Sequence, residues 1–230
     1  MLRLLCIVLY VSFWFVFHIP YVHLAKKRAY KEDILNAKLR ALILRLFKIA
    51  GVRVKITGKE NIPKQEPVLF AANHESHLDP LLMYVCLTRV PYFVMKAEIE
   101  DIPVFRVWMQ EIGHIALKRG DRKSAVEVLR KMKRYLEEGK DILIFPEGTI
   151  TKGERDLPFK PGSFKAALDT ESSIVPITIR GSAKGLEQQR YMIKPTTIDV
   201  IIHPKIETEK GKWEHTHELS SHVEKIIKEA

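Results

Sequence analysis

The sequence predicts an α/β domain with a central mixed, mostly parallel sheet flanked by helices, preceded by an N-terminal two-helix module. Three observations carry this. Seven short apolar runs bounded by turn residues recur from residue 52 onward. Amphipathic helical patterns separate several of them, the order expected when parallel strands are joined by crossovers. Residues 1–50 lack such runs and carry an aromatic, apolar stretch followed by a basic amphipathic one. A chain of 230 residues suits one domain with a small appendage.

The first stretch, residues 4–17, is interrupted only by Ser12 and holds Phe13, Trp14, Phe15 and Phe17. As a helix it is about 21 Å long, short of the roughly 30 Å hydrocarbon core. Counted out to Ala25 it is long enough to span, but His18, Pro20 and His23 fall inside. Spanning the bilayer and dipping into one leaflet are therefore both open; a signal peptide lacks a small-residue cleavage site, and a core helix with this aromatic density is unusual at an N-terminus. The cluster Lys26, Lys27, Arg28 would put the following domain on the cytoplasmic side if the run spans. Over residues 31–50, Lys31, Lys38 and Arg45 recur every seven residues while Leu35, Leu39, Leu42, Leu46 and Ala50 share another face. Such a helix can lie in an anionic headgroup layer, or it can be a surface helix packed on the domain. The expected organisation is a membrane-associating module over 1–50 and a globular domain over 51–230, monotopic or single-pass.

The predicted strands cover residues 52–57, 67–72, 92–96, 113–117, 141–145, 174–179 and 197–202. Asp79 followed by Pro80 reads as a helix start over 80–87. A second helix fits 123–138, with Val126, Leu129 and Leu136 at helical spacing and Gly139 as its stop. A short helix fits 163–169 and a terminal one 213–228.

Lysine and arginine total 38 against 28 acidic residues, a net charge of +10, and this favours an anionic partner. Nucleic acid is disfavoured because aromatic and basic residues do not interleave along a strand; an anionic membrane surface and a phosphorylated substrate remain. Two cysteines, Cys6 and Cys86, support neither a disulfide framework nor a cysteine metal site.

Chemistry concentrates where predicted strands end. In Asn73-His74-Glu75-Ser76-His77-Leu78-Asp79, His74 and Asp79 lie five residues apart across a strand-to-helix turn. The carboxylate can fold back onto one imidazole nitrogen and leave the other free to take a proton from a hydroxyl. On spacing alone, a metal site made by His74, His77 and Asp79, acting in a hydrolase, stays open, as does a purely structural pair or a non-enzymatic basic membrane-binding module. After the strand at 141–145 comes Pro146-Glu147-Gly148-Thr149, a tight turn that lets backbone approach a ligand closely, with Glu147 able to bind a substrate hydroxyl or anchor the turn.

Together the N-H-x-S-x-x-D segment (73–79) and the F-P-E-G-T segment (145–149) resemble the PlsC-type 1-acylglycerol-3-phosphate acyltransferases, over about residues 50–205. The resemblance implies transfer of a fatty acyl group from acyl-CoA or acyl carrier protein to the sn-2 hydroxyl of a lysophospholipid, with His74 and Asp79 catalytic. It implies no metal or other cofactor. Lys96, within Phe93–Glu98, matches the family's phosphate-binding lysine, and Arg119 matches the arginine of its G-x-I-x-x-x-R block. Glu147, Gly148 and Thr149 match the acceptor block, Lys160 the F-K-x-G block, and Val175, Pro176 and Ile177 the acyl-side V-P-I block. One departure stands out. Members often continue F-P-E-G-T with Arg-Ser, whereas Ile150-Thr151 follow here, so Lys152 or Arg155 would have to supply that charge.

Overall fold

The computed structural model describes residues 32–101, 106, 113–154, 156–190 and 192–230, with side chains from Asn36 onward in the first stretch. The aromatic run at 4–25, the cluster at 26–28 and Arg155 lie outside the described residues. Among those described, no helix is long and apolar enough to cross a membrane.

In chain order the main elements are α1 (Glu32–Ala50), β1 (Val52–Thr57), β2 (Leu69–Ala72), α2 (Asp79–Cys86), β3 (Tyr92–Lys96), β4 (Ile115–Leu117), α3 (Arg122–Glu137), β5 (Ile142–Ile144), α4 (Lys165–Thr170), β6 (Ile174–Arg180), β7 (Thr196–Ile202) and α5 (Thr216–Glu229). All seven predicted runs are strands of one sheet, ordered β1-β7-β6-β2-β5-β3-β4. From β6 to β4 all five neighbours are parallel; β7 is antiparallel to β6, and β1 is parallel to β7. The carboxyl ends of five strands therefore share one edge, and β2, which leads into His74, lies at the centre of the sheet.

Burial explains which strands alternate. β2, β5 and all but the last residue of β6 are buried on both faces, so their sequences are continuous apolar runs. On one face Phe70, Ala72, Leu143, Val175 and Ile177 pack with Ile43 and Phe47 of α1 and Leu82 and Met83 of α2. On the other, Leu69, Ala71, Ile142 and Ile174 pack with Met132 and Leu136 of α3, Ala166 and Ala167 of α4, and Leu219 and Val223 of α5. At the β1 end the second face is bare: Arg53, Lys55 and Thr57 are exposed while Val52, Val54 and Ile56 turn inward.

Three expectations change. The helix at 32–50 does not stand apart from the domain at Gly51, because Leu42, Ile43, Phe47 and Ala50 are buried and the last three join the sheet's own core. Burying each such large side chain is worth about 1.5–3 kcal/mol, and this face is committed to the core; Leu44, Arg45 and Lys48 are left on the outer face. The helix expected at 163–169 is present as α4 from Lys165 to Thr170, with its first turn a 3-10 turn, Pro161–Phe164. Asp79 is not a side-chain cap for α2; the capping position is Leu78, and the carboxylate turns back into the preceding loop. The stop at Gly139 holds: at φ 77° its N–H reaches Leu136 O while Lys140 N–H reaches Tyr135 O, a left-handed closure that favours glycine.

Candidate active site

The site begins where β2 runs out. Asn73 prolongs the sheet with its side chain, its amide donating to Ile179 O at 2.8 Å while Ile179 N–H donates to its Oδ1 at 2.7 Å. The next residue, His74, is then gripped at both backbone ends from the β5 loop. Its N–H donates to Glu147 Oε2 at 3.0 Å. Its carbonyl accepts the Thr151 N–H at 2.8 Å and the Thr151 hydroxyl at 3.0 Å. Its ring stacks on Phe145 with centroids 4.0 Å apart and planes 18° from parallel.

His74 Nδ1 is 2.9 Å from Asp79 Oδ2, and the same oxygen accepts the Ser76 N–H at 2.8 Å. The Asp79 side chain is fully buried and that of His74 is 13% exposed. A carboxylate on Nδ1 selects the tautomer that carries its proton there, leaving the Nε2 lone pair free to accept one. Neither neighbouring hydroxyl is a nucleophile in waiting: Ser76 Oγ accepts the Leu78 N–H at 3.1 Å, and Thr151 donates to His74. The pair is arranged to activate a hydroxyl brought by a substrate.

Carboxyl groups crowd this loop, and burial sets their charge. Desolvation pushes Glu147 up to about 8, more than the His74 N–H and the more distant Lys228 draw it down. Desolvation also raises Glu75, with Asp79 adding to it, although its carboxylate accepts the Gly181 N–H at 2.9 Å. With Glu147 largely protonated at neutral pH, less repulsion meets an anionic substrate or a developing oxyanion than the count of acids implies.

Glu147 thus anchors the turn and the His74 loop through its buried carboxyl. Gly148 has φ 74°, a left-handed turn that favours glycine, and the Lys160 side chain lies over it. Lys160 is exposed above that turn, and Thr149 and Ile150 follow half-buried.

Lys96 and Arg119 lie further along the same edge. β3 is two strands from β2 and β4 three, which at the usual spacing is about 10 and 14 Å. Both side chains are exposed. Lys96 Nζ is 3.3 Å from Glu98. The Glu98 carboxyl is held below its ordinary value, first by its own backbone N–H and then by Lys96 and Arg119. Val175, Pro176 and Ile177 are not at the edge at all; they pair with Phe70, Ala71 and Ala72 in mid-sheet and are buried, so they present no surface to a substrate.

His77 is not gathered with His74 and Asp79. Its Nδ1 is 2.8 Å from Glu187 Oε1, and among the described residues no group of three or more histidine, cysteine or acidic side chains could hold a metal ion. The residues the motifs did not single out are Thr151, Glu75 and Glu187. Thr151 stood out only as a departure from the family pattern, and no local signal marks Glu187, which lies 110 positions from its partner.

A histidine oriented by a buried aspartate at the central strand end of an α/β sheet defines a site for hydroxyl activation in group transfer. The acyltransferase family model matches residues 53–180. A 1-acyl-sn-glycerol-3-phosphate acyltransferase of Borreliella burgdorferi is 30% identical over 192 residues, 83% of this chain and 76% of that protein. A chloroplastic 1-acyl-sn-glycerol-3-phosphate acyltransferase of Arabidopsis thaliana is 33% identical over 69% of this chain, which spans 45% of that longer protein. The crystal structure of the 1-acyl-sn-glycerophosphate (LPA) acyltransferase PlsC from Thermotoga maritima superposes with a TM-score of 0.80, covering 99% of this chain and 95% of that one at 23% identity, a likeness of fold. The chain belongs to the acyltransferase family, and within it to the PlsC-type 1-acylglycerol-3-phosphate acyltransferases.

Proposed function

We propose that the protein moves a fatty acyl group from an acyl thioester, on coenzyme A or acyl carrier protein, to the sn-2 hydroxyl of 1-acylglycerol 3-phosphate, giving phosphatidic acid. The observation that carries this is the His74–Asp79 pair, clamped by Glu147 and Thr151, with the neighbouring hydroxyls of Ser76 and Thr151 bonded to the backbone. His74 Nε2 takes the proton of the acceptor hydroxyl as its oxygen attacks the thioester carbonyl. Asp79 steadies the imidazolium across Nδ1. Backbone N–H groups at the strand ends receive the oxyanion. The C–S bond then breaks, and the departing thiolate takes the proton back from His74. Lys96 and Arg119 hold the acceptor phosphate, arginine offering a fork to two oxygens, and Lys160 lies between them and the base.

The N-terminal module attaches the enzyme to an anionic membrane surface, with the catalytic domain on the cytoplasmic side. Helix α1 belongs to the core, so attachment rests on the segment before it and on the outer face with Leu44, Arg45 and Lys48.

The test is a mass-spectrometric assay of the purified full chain in detergent, offering lysophosphatidate, glycerol 3-phosphate and other lyso-lipids against both donors. Lysophosphatidate should be the preferred acceptor, and His74→Ala should lower kcat by about 10³-fold or more. Preference for another lyso-lipid overturns the acceptor assignment; a fully active His74→Ala overturns the mechanism.

A further inference from the structure

The catalytic loop is held from a second side by a carboxylate outside every motif. Glu187 opens a short 3-10 turn, Glu187–Gln189, and its side chain is fully buried. Its Oε1 accepts the His77 N–H at 2.8 Å and stands 2.8 Å from His77 Nδ1. Burial pushes its carboxyl up, but the Ser76 hydroxyl, the His77 N–H and the His77 ring outweigh this and hold it below its ordinary value. The residue before His77, Ser76, sends its own N–H to Asp79 Oδ2 at 2.8 Å. Two consecutive amides thus end on two different buried carboxylates, and turning either peptide disturbs both bonds.

Asp79 has little else to orient it. Its Oδ1 is buried without a partner among the described residues, so the Ser76 N–H is the one hydrogen bond on that carboxylate, besides His74, that those residues provide. We propose that Glu187 is a positioning residue for catalysis: by pinning His77 it keeps the neighbouring Ser76 N–H on Asp79, and through it keeps Asp79 on His74 Nδ1. A buried carboxylate committed to one loop residue at two points is costly for the fold, since a charge taken out of water must be repaid by its few partners. Its placement makes sense as support for the dyad, in the way that outer partners orient metal-bound histidines. The inference rests on the reading of His74 as the base.

The experiment compares the full chain with Glu187→Met, which nearly keeps side-chain volume and removes both acceptor oxygens. Initial rates are measured over both substrates, and the His74 Nδ1–H proton is followed by NMR, assigned by its loss in His74→Ala. We expect kcat to fall at least about tenfold, both KM values to stay within about threefold, and the Nδ1–H resonance to move while the thermal unfolding midpoint stays above the assay temperature. A kcat within about threefold of the parent, or a lowered kcat with an unmoved resonance, overturns the proposal. If Glu187→Met does not fold, Glu187→Asp, which withdraws the carboxylate by one methylene, is judged by the same two criteria. The resonance is read without turnover, so a failure of the His74 assignment shows separately, as activity remaining in His74→Ala.

Discussion

At the β2–β5 end of the sheet's carboxyl edge, the polar groups are buried and multiply held: Asp79 is fully buried, and His74 is fixed by its ring, its N–H and its carbonyl. At the β3–β4 end, Lys96 and Arg119 are exposed side chains at the tips of short strands, with Glu98 between them. The contrast matches the roles proposed for the two ends. Proton transfer needs a base held to a fraction of an ångström in a defined tautomer. A phosphate dianion is recognised over longer distances by cations that stay solvated until it arrives. The two ends should therefore fail differently, one in kcat and the other in KM.

The largest effect expected after loss of His74 itself is in Asp79→Asn. The amide keeps the shape but cannot stabilise an imidazolium or enforce the Nδ1–H tautomer, and kcat should fall by roughly 10²–10⁴-fold with little change in acceptor KM. A drop confined to KM would erase the division between the two ends. Next, Lys96→Ala and Arg119→Ala should each raise the acceptor KM by about 10- to 100-fold, the worth of one charge-assisted contact, with kcat changing much less. Added salt should weaken acceptor binding in the parent more than in either variant. An unchanged KM in both would remove the phosphate from the β3–β4 end.

The smallest effect on activity is expected from Glu147→Gln, which copies the protonated acid and still offers an oxygen to the His74 N–H. Its signature lies in stability. The folded carboxyl titrates near 8 against an ordinary 4.5. The proton is bound more tightly in the folded state, so the parent's stability contribution is full below pH 4.5 and is lost as pH rises through about 8. Urea unfolding at intervals from about pH 5 to about pH 8 should show the parent losing of the order of a few kcal/mol relative to the variant. Parallel curves would mean that Glu147 is ionised throughout.

Much of this site was legible because its chemistry is local. His74 and Asp79 are joined by one turn, and the turn at Gly148 announces itself through Pro146 and glycine. The partners that hold the pair were not, because contacts such as His74 to Thr151 and His77 to Glu187 span 77 and 110 residues and use residue types that are ordinary in any loop. Asp79 misled in a specific way. Before a proline it has the look of a helix cap, but the cap position falls on Leu78, and the folded loop turns the carboxylate back onto the Ser76 N–H and the His74 ring.

By itself the sequence determined the seven strands, since short apolar runs bounded by turn residues have few other ways to bury themselves, and it determined the histidine–aspartate pair, since five residues across a turn are enough to close it. Only the tertiary structure decided the strand order that lines up His74, Glu147, Lys96 and Arg119 along one edge. It alone seated α1 in the core, put Val175–Ile177 out of reach in mid-sheet, and brought Glu187 under the catalytic loop. The physical reason is the same in each case: these depend on which surfaces meet when both faces of the sheet are covered, and a linear pattern of side chains records the need for burial without naming the partner.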